Sequence, residues 1–285
     1  KETVENFVNH FNKGWVDYRK SVTEAGDYAG TEWRGHGVYY YDVFGQEYID
    51  CLGGYGALDL GWSHPEVVEA VRAQAGKSGI PSQELMDPLR GVLARLLALI
   101  TPGNIDHAFF VNSGTETIEG ALKIAKLYTG KHNFIATVSG FHGKTLGSLS
   151  VMGKKDFRQA LQPFGGQTFY VPFADADALE KQLEICSKVG IDIAAFIAEP
   201  IQGEAGALVP PDEYWPKVRE ICSRYEVLLI CDEVQTGMAR TGKLWGVEHW
   251  NIVPDILCVA KSLGGGVLPI GAFMGNGEIW KALED

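Results

Sequence analysis

The sequence is poor in cysteine, in basic residues and in long apolar runs. Its five cysteines, Cys51, Cys186, Cys222, Cys231 and Cys258, are odd in number and form no Cys-x-x-Cys pair. A disulfide framework is therefore not expected, nor a metal site. Three of them sit in apolar runs, where a thiol behaves as a small hydrophobe. A reducing, cytoplasmic setting is the expectation. Lys plus Arg number 25 against 36 Asp plus Glu, a formal net charge of −11. Nucleic acid or an anionic membrane surface asks for a basic face, so neither is expected as a partner. No stretch reaches the roughly 18 uninterrupted apolar residues of a membrane span; the run 227–231 stops at Asp232. No signal peptide is visible, and since the first residue is Lys1 the native start is expected upstream. A P-loop is missing. So is a Gly-x-Gly-x-x-Gly after a strand with an acidic residue about 20 positions on, which removes support for a dinucleotide dehydrogenase.

What is present is a 285-residue chain, 46% hydrophobic, with 35 glycines. That length suits one large domain or two small ones, with ample material for a core. Residues 1–30 read as a helix followed by an irregular connector. Residues 37–50, aromatic and β-branched around Gly45, read as a β-hairpin, and Gly53-Gly54-Tyr55-Gly56 as a loop. A helix then opens at His64-Pro65, with Ser63 and Glu66 fitting a capping box. Another opens at Asp87-Pro88, with Leu89, Val92, Leu93, Leu96, Leu97 and Ile100 at helical spacing. Short apolar runs at 108–111, 133–138, 168–171, 193–198, 227–231, 256–260 and 269–275 are mostly separated by helical patterns, among them 115–129, 175–189 and 212–225. This alternation predicts an α/β fold: about seven strands in a mostly parallel sheet, covered by helices on both faces.

Ligands of such sheets bind at the carboxyl ends of the strands, which directs attention to the residues after each run. Asn112-Ser113-Gly114-Thr115-Glu116 turns into a helix N-terminus, either an anion seat or a capping box of Ser113 with Glu116. Phe141, between Gly140 and His142-Gly143, is placed to stack on a flat ring or to fill a loop. His142 has the choice of a ligand or the backbone. Glu199 and Glu204 flank a turn and read as functional carboxylates or a solvated loop. Asp232, at the end of an apolar strand, needs a cation or hydrogen-bond donors if buried. Lys261, before three glycines, is either a surface lysine or an amine whose burial makes it a carbonyl nucleophile. Together these supply what holding pyridoxal phosphate requires.

Here the sequence resembles the class III, or ω-amino acid, aminotransferases of pyridoxal-phosphate fold type I. The matching segments are Asn-Ser-Gly-Thr-Glu at 112–116, Gly-Phe-His-Gly-Lys at 140–144, Glu-Pro-Ile-Gln-Gly-Glu at 199–204, Asp-Glu-Val-Gln-Thr-Gly at 232–237 and Lys-Ser-Leu-Gly-Gly-Gly at 261–266. The resemblance implies that Lys261 carries the Schiff-base chemistry and the proton transfer, and that Asp232 pairs with the ring nitrogen. Phe141 and Val234 would flank the ring, with His142 also at the cofactor and Gln235 near its 3′-oxygen. Gly114, Thr115 and Ser113 would bind the phosphate, Glu204 would act as a gate toward substrate, and Glu199 would orient its neighbours. It also implies a ping-pong transfer from a small-molecule amine, a diamine such as putrescine or an ω-amino acid, to a 2-oxo acid, 2-oxoglutarate. Ornithine or 4-aminobutyrate as donor, aminomutase chemistry, or an inactive fragment stay open. The implied organisation is an N-terminal arm at 1–60 and a cofactor-binding domain at 61–285, with a C-terminal small domain expected beyond Asp285. A homodimer or dimer of dimers is implied too.

Overall fold

Strands β4 (His107–Val111), β5 (Asn133–Thr137), β6 (Thr168–Val171), β7 (Ile193–Ala198), β8 (Leu228–Asp232), β9 (Ile256–Val259) and β10 (Gly271–Gly275) form one sheet in the order β4-β10-β9-β8-β7-β5-β6. They correspond to the seven apolar runs, and Asp232 proves to be the last residue of its strand. All neighbours are parallel except β10, which runs antiparallel to both β4 and β9. The computed structural model describes residues 2–21, 31–82 and 84–284; the expected connector at 22–30 and Gln83 lie outside the described residues.

The strands read as unbroken apolar runs because both faces of the sheet are covered. Successive side chains alternate between two cores. Phe196, Leu229, Cys231, Leu257 and Val259 face one. There they meet Leu179 and Leu183 of α4 (Ala176–Lys188) and Trp215, Val218 and Ile221 of α5 (Tyr214–Arg224). Ala195, Ile197, Ile230, Ile256 and Cys258 face the other, against Ile118, Ala121, Leu122 and Ala125 of α3 (Gly114–Thr129). Helix α3 starts where β4 ends, so its N-terminus opens onto the carboxyl edge of the sheet.

Three expectations change. The hairpin is part of a three-stranded antiparallel sheet, β1 (Glu32–His36), β2 (Tyr39–Asp42) and β3 (Glu47–Ile49), whose first strand lies before the segment read as β. The Ser63–Glu66 capping box does not form. Pro65 is the first residue of α1 (Pro65–Ala75), and His64, held extended before that proline, takes the N-cap position without a side-chain bond. The apolar stripe of α2 (Pro88–Ile100) is buried only at Leu97, while Leu89, Val92 and Leu96 are each more than half exposed. The helix opens at Asp87-Pro88 as expected, and the Asp87 carboxylate caps it, accepting from the Leu89 and Arg90 amides. Gly53–Gly56 is a short helical turn in which Gly54 and Tyr55 take left-handed dihedrals.

Gly120 of α3 is fully within the core, and a Cβ there would overlap the Phe273 ring of β10. Gly120→Ala gains helix propensity but overpacks the core, which costs about 1–3 kcal/mol. The expected outcome is a lower urea midpoint than wild type; an equal or higher one would show that Phe273 yields freely.

Candidate active site

Strand order brings the candidate residues together. Strands β7, β8 and β9 are neighbours, so Glu199, Asp232 and Lys261 emerge side by side from their carboxyl ends. The loop after β5 adds Phe141 and His142, and the start of α3 adds Gly114 and Thr115. All candidate residues except Ser113 line one cavity of about 210 Å³, together with Gly143. Ser113 lines an adjoining cavity of about 480 Å³, shared with Gly114 and Lys261. Its hydroxyl accepts from the Glu116 amide and donates to Glu116 Oε2 at 3.0 Å. Glu116 also accepts the Asn112 amide at 2.8 Å. Ser113 is thus a helix cap.

The centre of the site is a buried pair. His142 Nδ1 lies 2.8 Å from Asp232 Oδ2, with both side chains almost wholly out of solvent. Asp232 Oδ1 accepts from the Val234 amide at 3.1 Å. Burial by itself presses the His142 pKa down, but the hydrogen bond and charge of Asp232, assisted by Glu199, prevail and hold it above 6.5. The alternatives open for His142 in sequence thus resolve to a third: its partner is Asp232. Its Nε2 is buried without a hydrogen-bond partner among the described residues.

Glu199 is not part of a solvated loop. It is 5% exposed, and its two oxygens accept the Phe141 and Gly203 amides at 3.0 Å each. It thereby ties the loop after β5 to the loop after β7. Gln202 repeats the tie, donating to Thr137 Oγ1 and the Val138 carbonyl. Burial raises the Glu199 pKa, with His142 opposing. Glu204 is held at the rim by Lys154, whose Nζ donates to its carbonyl at 2.7 Å and lies 3.7 Å from its carboxylate.

Lys261 follows β9 with φ of 41°, a left-handed conformation rare for a side-chain-bearing residue. Burial lowers its pKa, while Asp232, Glu199 and Glu204 act to raise it. The next residue, Ser262, donates to the Gly56 carbonyl and to Asp59, which also pairs with Arg240. The N-terminal segment thus clamps the lysine loop. Gln235 donates to the Tyr55 carbonyl at 2.8 Å.

Several residues here were not foreseen. Thr115 Oγ1 bonds the hydroxyls of Thr145 and Ser148 at 2.9 and 2.8 Å, and Glu119 accepts from Thr145 and the Gly147 amide. Glu233 is fully buried, accepting the Gly246 and Val247 amides and bonding Thr236; burial pushes its pKa up to about 7. The signal in sequence was a second acid beside Asp232.

The residues present fit pyridoxal phosphate. A Cβ on Gly114 would lie 2.8 Å from Val234 Cγ1, so glycine is needed where that side chain closes over the helix N-terminus. The cavity at that N-terminus is lined also by an aromatic ring, a buried carboxylate and a half-buried amine. Among the described residues no cluster of metal-ligating side chains occurs.

The profile of the class-III aminotransferases matches residues 28–285, and the chain belongs to that family. It is 50% identical to the putrescine aminotransferase of Pectobacterium atrosepticum over 99% of its own length, and spans 61% of that protein. Among solved structures, a transaminase from Virgibacillus is similar at 28% identity with a TM-score of 0.90, covering 100% of this chain and 67% of its own. An ornithine aminotransferase of Toxoplasma gondii is 31% identical with a TM-score of 0.83, covering 99% and 67%. An amine transaminase from an uncultivated Pseudomonas species, solved with pyridoxal phosphate bound, is 33% identical with a TM-score of 0.82, covering 93% and 65%. The fold is the α/β fold of these enzymes.

Because His142 has its pKa raised on folding, its contribution to stability is fully present below pH 6.5 and is lost as pH rises through the folded value. Wild type should therefore lose stability relative to His142→Gln as pH is raised above 6.5. Urea midpoints at a series of pH values check this; parallel profiles would contradict it.

Proposed function

We propose that this chain is the cofactor-holding part of an aminotransferase that moves an amino group from a diamine or ω-amino acid, with putrescine as donor, to 2-oxoglutarate. In this reading residues 1–60 are an N-terminal arm and 61–285 the cofactor-holding domain. The observation that carries it is the convergence of Lys261, the His142–Asp232 pair and the α3 N-terminus on one cavity in a chain of this family.

Bound pyridoxal phosphate supplies an aldehyde that condenses with amines and a protonated ring that takes up the electron pair left by a departing proton. The chain does the rest. Lys261, its ammonium disfavoured by burial, would hold the cofactor through Nζ and move the proton at the donor's carbon. Asp232 keeps the ring nitrogen protonated, and the His142 bond and the Val234 amide fix that carboxylate in place. Phe141 and Val234, which line the cavity, would flank the ring, and Gln235 would offer it a polar contact. Gly114 and Thr115 bind the phosphate, with Ser113 supporting them as the cap of the same helix. Glu204, at the rim, offers a carboxylate to the second ammonium of a diamine, which supports putrescine as donor, and Glu199 orients the loops beside it.

We read the enzyme as a cytoplasmic homodimer or dimer of dimers. The exposed apolar stripe of α2 and the four buried free thiols support this. Sedimentation of the purified protein should give at least a dimer; a monomer at assay concentration would count against it.

The protein incubated with pyridoxal phosphate should retain it on Lys261 after borohydride reduction. Lys261→Ala should lose both that label and, by roughly 10²-fold or more, amino transfer from putrescine to 2-oxoglutarate. Label on another lysine, or transfer undiminished in Lys261→Ala, would sink the reading. A donor panel including cadaverine, ornithine and 4-aminobutyrate ranks the amines, and a preference for 4-aminobutyrate would overturn the diamine assignment.

A further inference from the structure

A third cavity, of about 340 Å³, lies beyond the loop that carries Phe141. It is lined by two cations, Lys155 and Arg158, by the amide-bearing Gln159 and Gln162, and by Val138, Gly153 and Tyr170. No carboxylate lines it. That is unusual in a chain with a net charge of −11, where a cationic pocket makes a local attraction for anions against a repelling surface.

The arginine is held ready. Its guanidinium lies 4.6 Å from the centre of the Tyr170 ring and 5.5 Å from that of Phe164. Aromatic stacking of this kind orients the flat guanidinium and leaves its in-plane N–H groups to bind a carboxylate or phosphate in fork geometry. Arg158 Nε is buried and has no acceptor among the described residues. No acidic side chain of the described residues pairs with this guanidinium at that edge. Tyr170 does not compete for the role: its hydroxyl donates to the Ser150 carbonyl, and burial pushes its pKa up to about 12, so it stays neutral.

We propose that this pocket is a second binding site, for a small dianion bearing a carboxylate or phosphate head, gripped by Arg158 and Lys155. The amides of Gln159 and Gln162 supply further donors. The pocket shares Gly153 with the strap that holds the active-site loop: Gly153 donates to the Gly140 carbonyl and accepts the Ser139 amide. Occupancy would therefore brace the loop bearing Phe141 and His142 from behind. The inference does not depend on which amine the enzyme uses.

Calorimetric titration tests it, on protein saturated with pyridoxal phosphate so that the α3 N-terminus is already engaged. Inorganic phosphate is the probe in one arm and succinate in the other. We expect binding in at least one arm, weakened roughly tenfold or more in Arg158→Gln and in Lys155→Gln, since each removes a charge-assisted contact. The arm that binds tells a phosphate head from a dicarboxylate. Lys155 is exposed, so Lys155→Gln keeps the fold and decides the question should Arg158→Gln fail to fold. Binding in neither arm, or binding that either folded variant leaves unchanged, overturns the proposal.

Discussion

The bond between His142 and Asp232 is the constraint around which the site is arranged. A carboxylate 4% exposed at the end of an apolar strand has to be neutralised or given donors, or it costs several kcal/mol. The chain meets this with a histidine 90 residues earlier, delivered by the loop after β5. That loop must then be held in position, and the bonds around it do so: Glu199 on the Phe141 amide, Gln202 on Thr137 and Val138, Gly153 on Gly140. Two of these ties join the ends of β7 and β5, and the third closes the segment after β5 on itself, so the loop bearing His142 is held from both sides. Separate loops meeting at a cleft would leave Asp232 at the mercy of whichever moved first.

The same network sets the charge balance at Lys261. Burial works against its ammonium, while three carboxylates within electrostatic reach work for it. Fully charged, the amine would be no nucleophile. His142 tempers that outcome by pairing with Asp232, and Glu199 has its own burial pushing it toward neutrality. Glu204, at the rim, is held by Lys154 through both its carbonyl and, more loosely, its carboxylate. A polar cavity of this kind carries out its chemistry through compensation between buried groups, and removing any one of them shifts the rest.

Much of this was legible in sequence, for a physical reason. Strands buried on both faces are apolar throughout, so all seven stood out, and the polar residue ending each run marked the edge where a ligand binds. Position relative to a strand end is a local property, and Asp232, Lys261 and Glu199 were found by it. Pairing is not local. Nothing near His142 says that its ring meets Asp232, and nothing near Glu199 says that its oxygens hold amides 58 and four residues away. Thr145, Ser148 and Glu119 were invisible for the same reason: their hydroxyls and carboxylate matter only once α3 has brought Thr115 to them. The α2 stripe misled in the opposite sense. Helical spacing of apolar residues predicts that a face is covered, and says nothing about whether the covering comes from this chain. Ser63 failed through one residue of register, because Pro65 shifted the helix start.

The abundance of glycine, which in composition suits loops that approach a ligand closely, has specific causes in this arrangement. Loops from β4, β5 and β8 must approach one another closely enough for their amides and side chains to share one small cavity, and a Cβ at the wrong point keeps them apart. At Gly114 it would press on Val234; at Gly143, which also has φ of 109°, it would collide with Thr115. Substituting either would separate the α3 N-terminus from the ring-facing residues, while leaving every charged group in the sequence. The chemistry of the site therefore rests on residues that have no chemistry of their own: they let a helix N-terminus, a buried carboxylate and a buried amine lie within reach of one bound molecule.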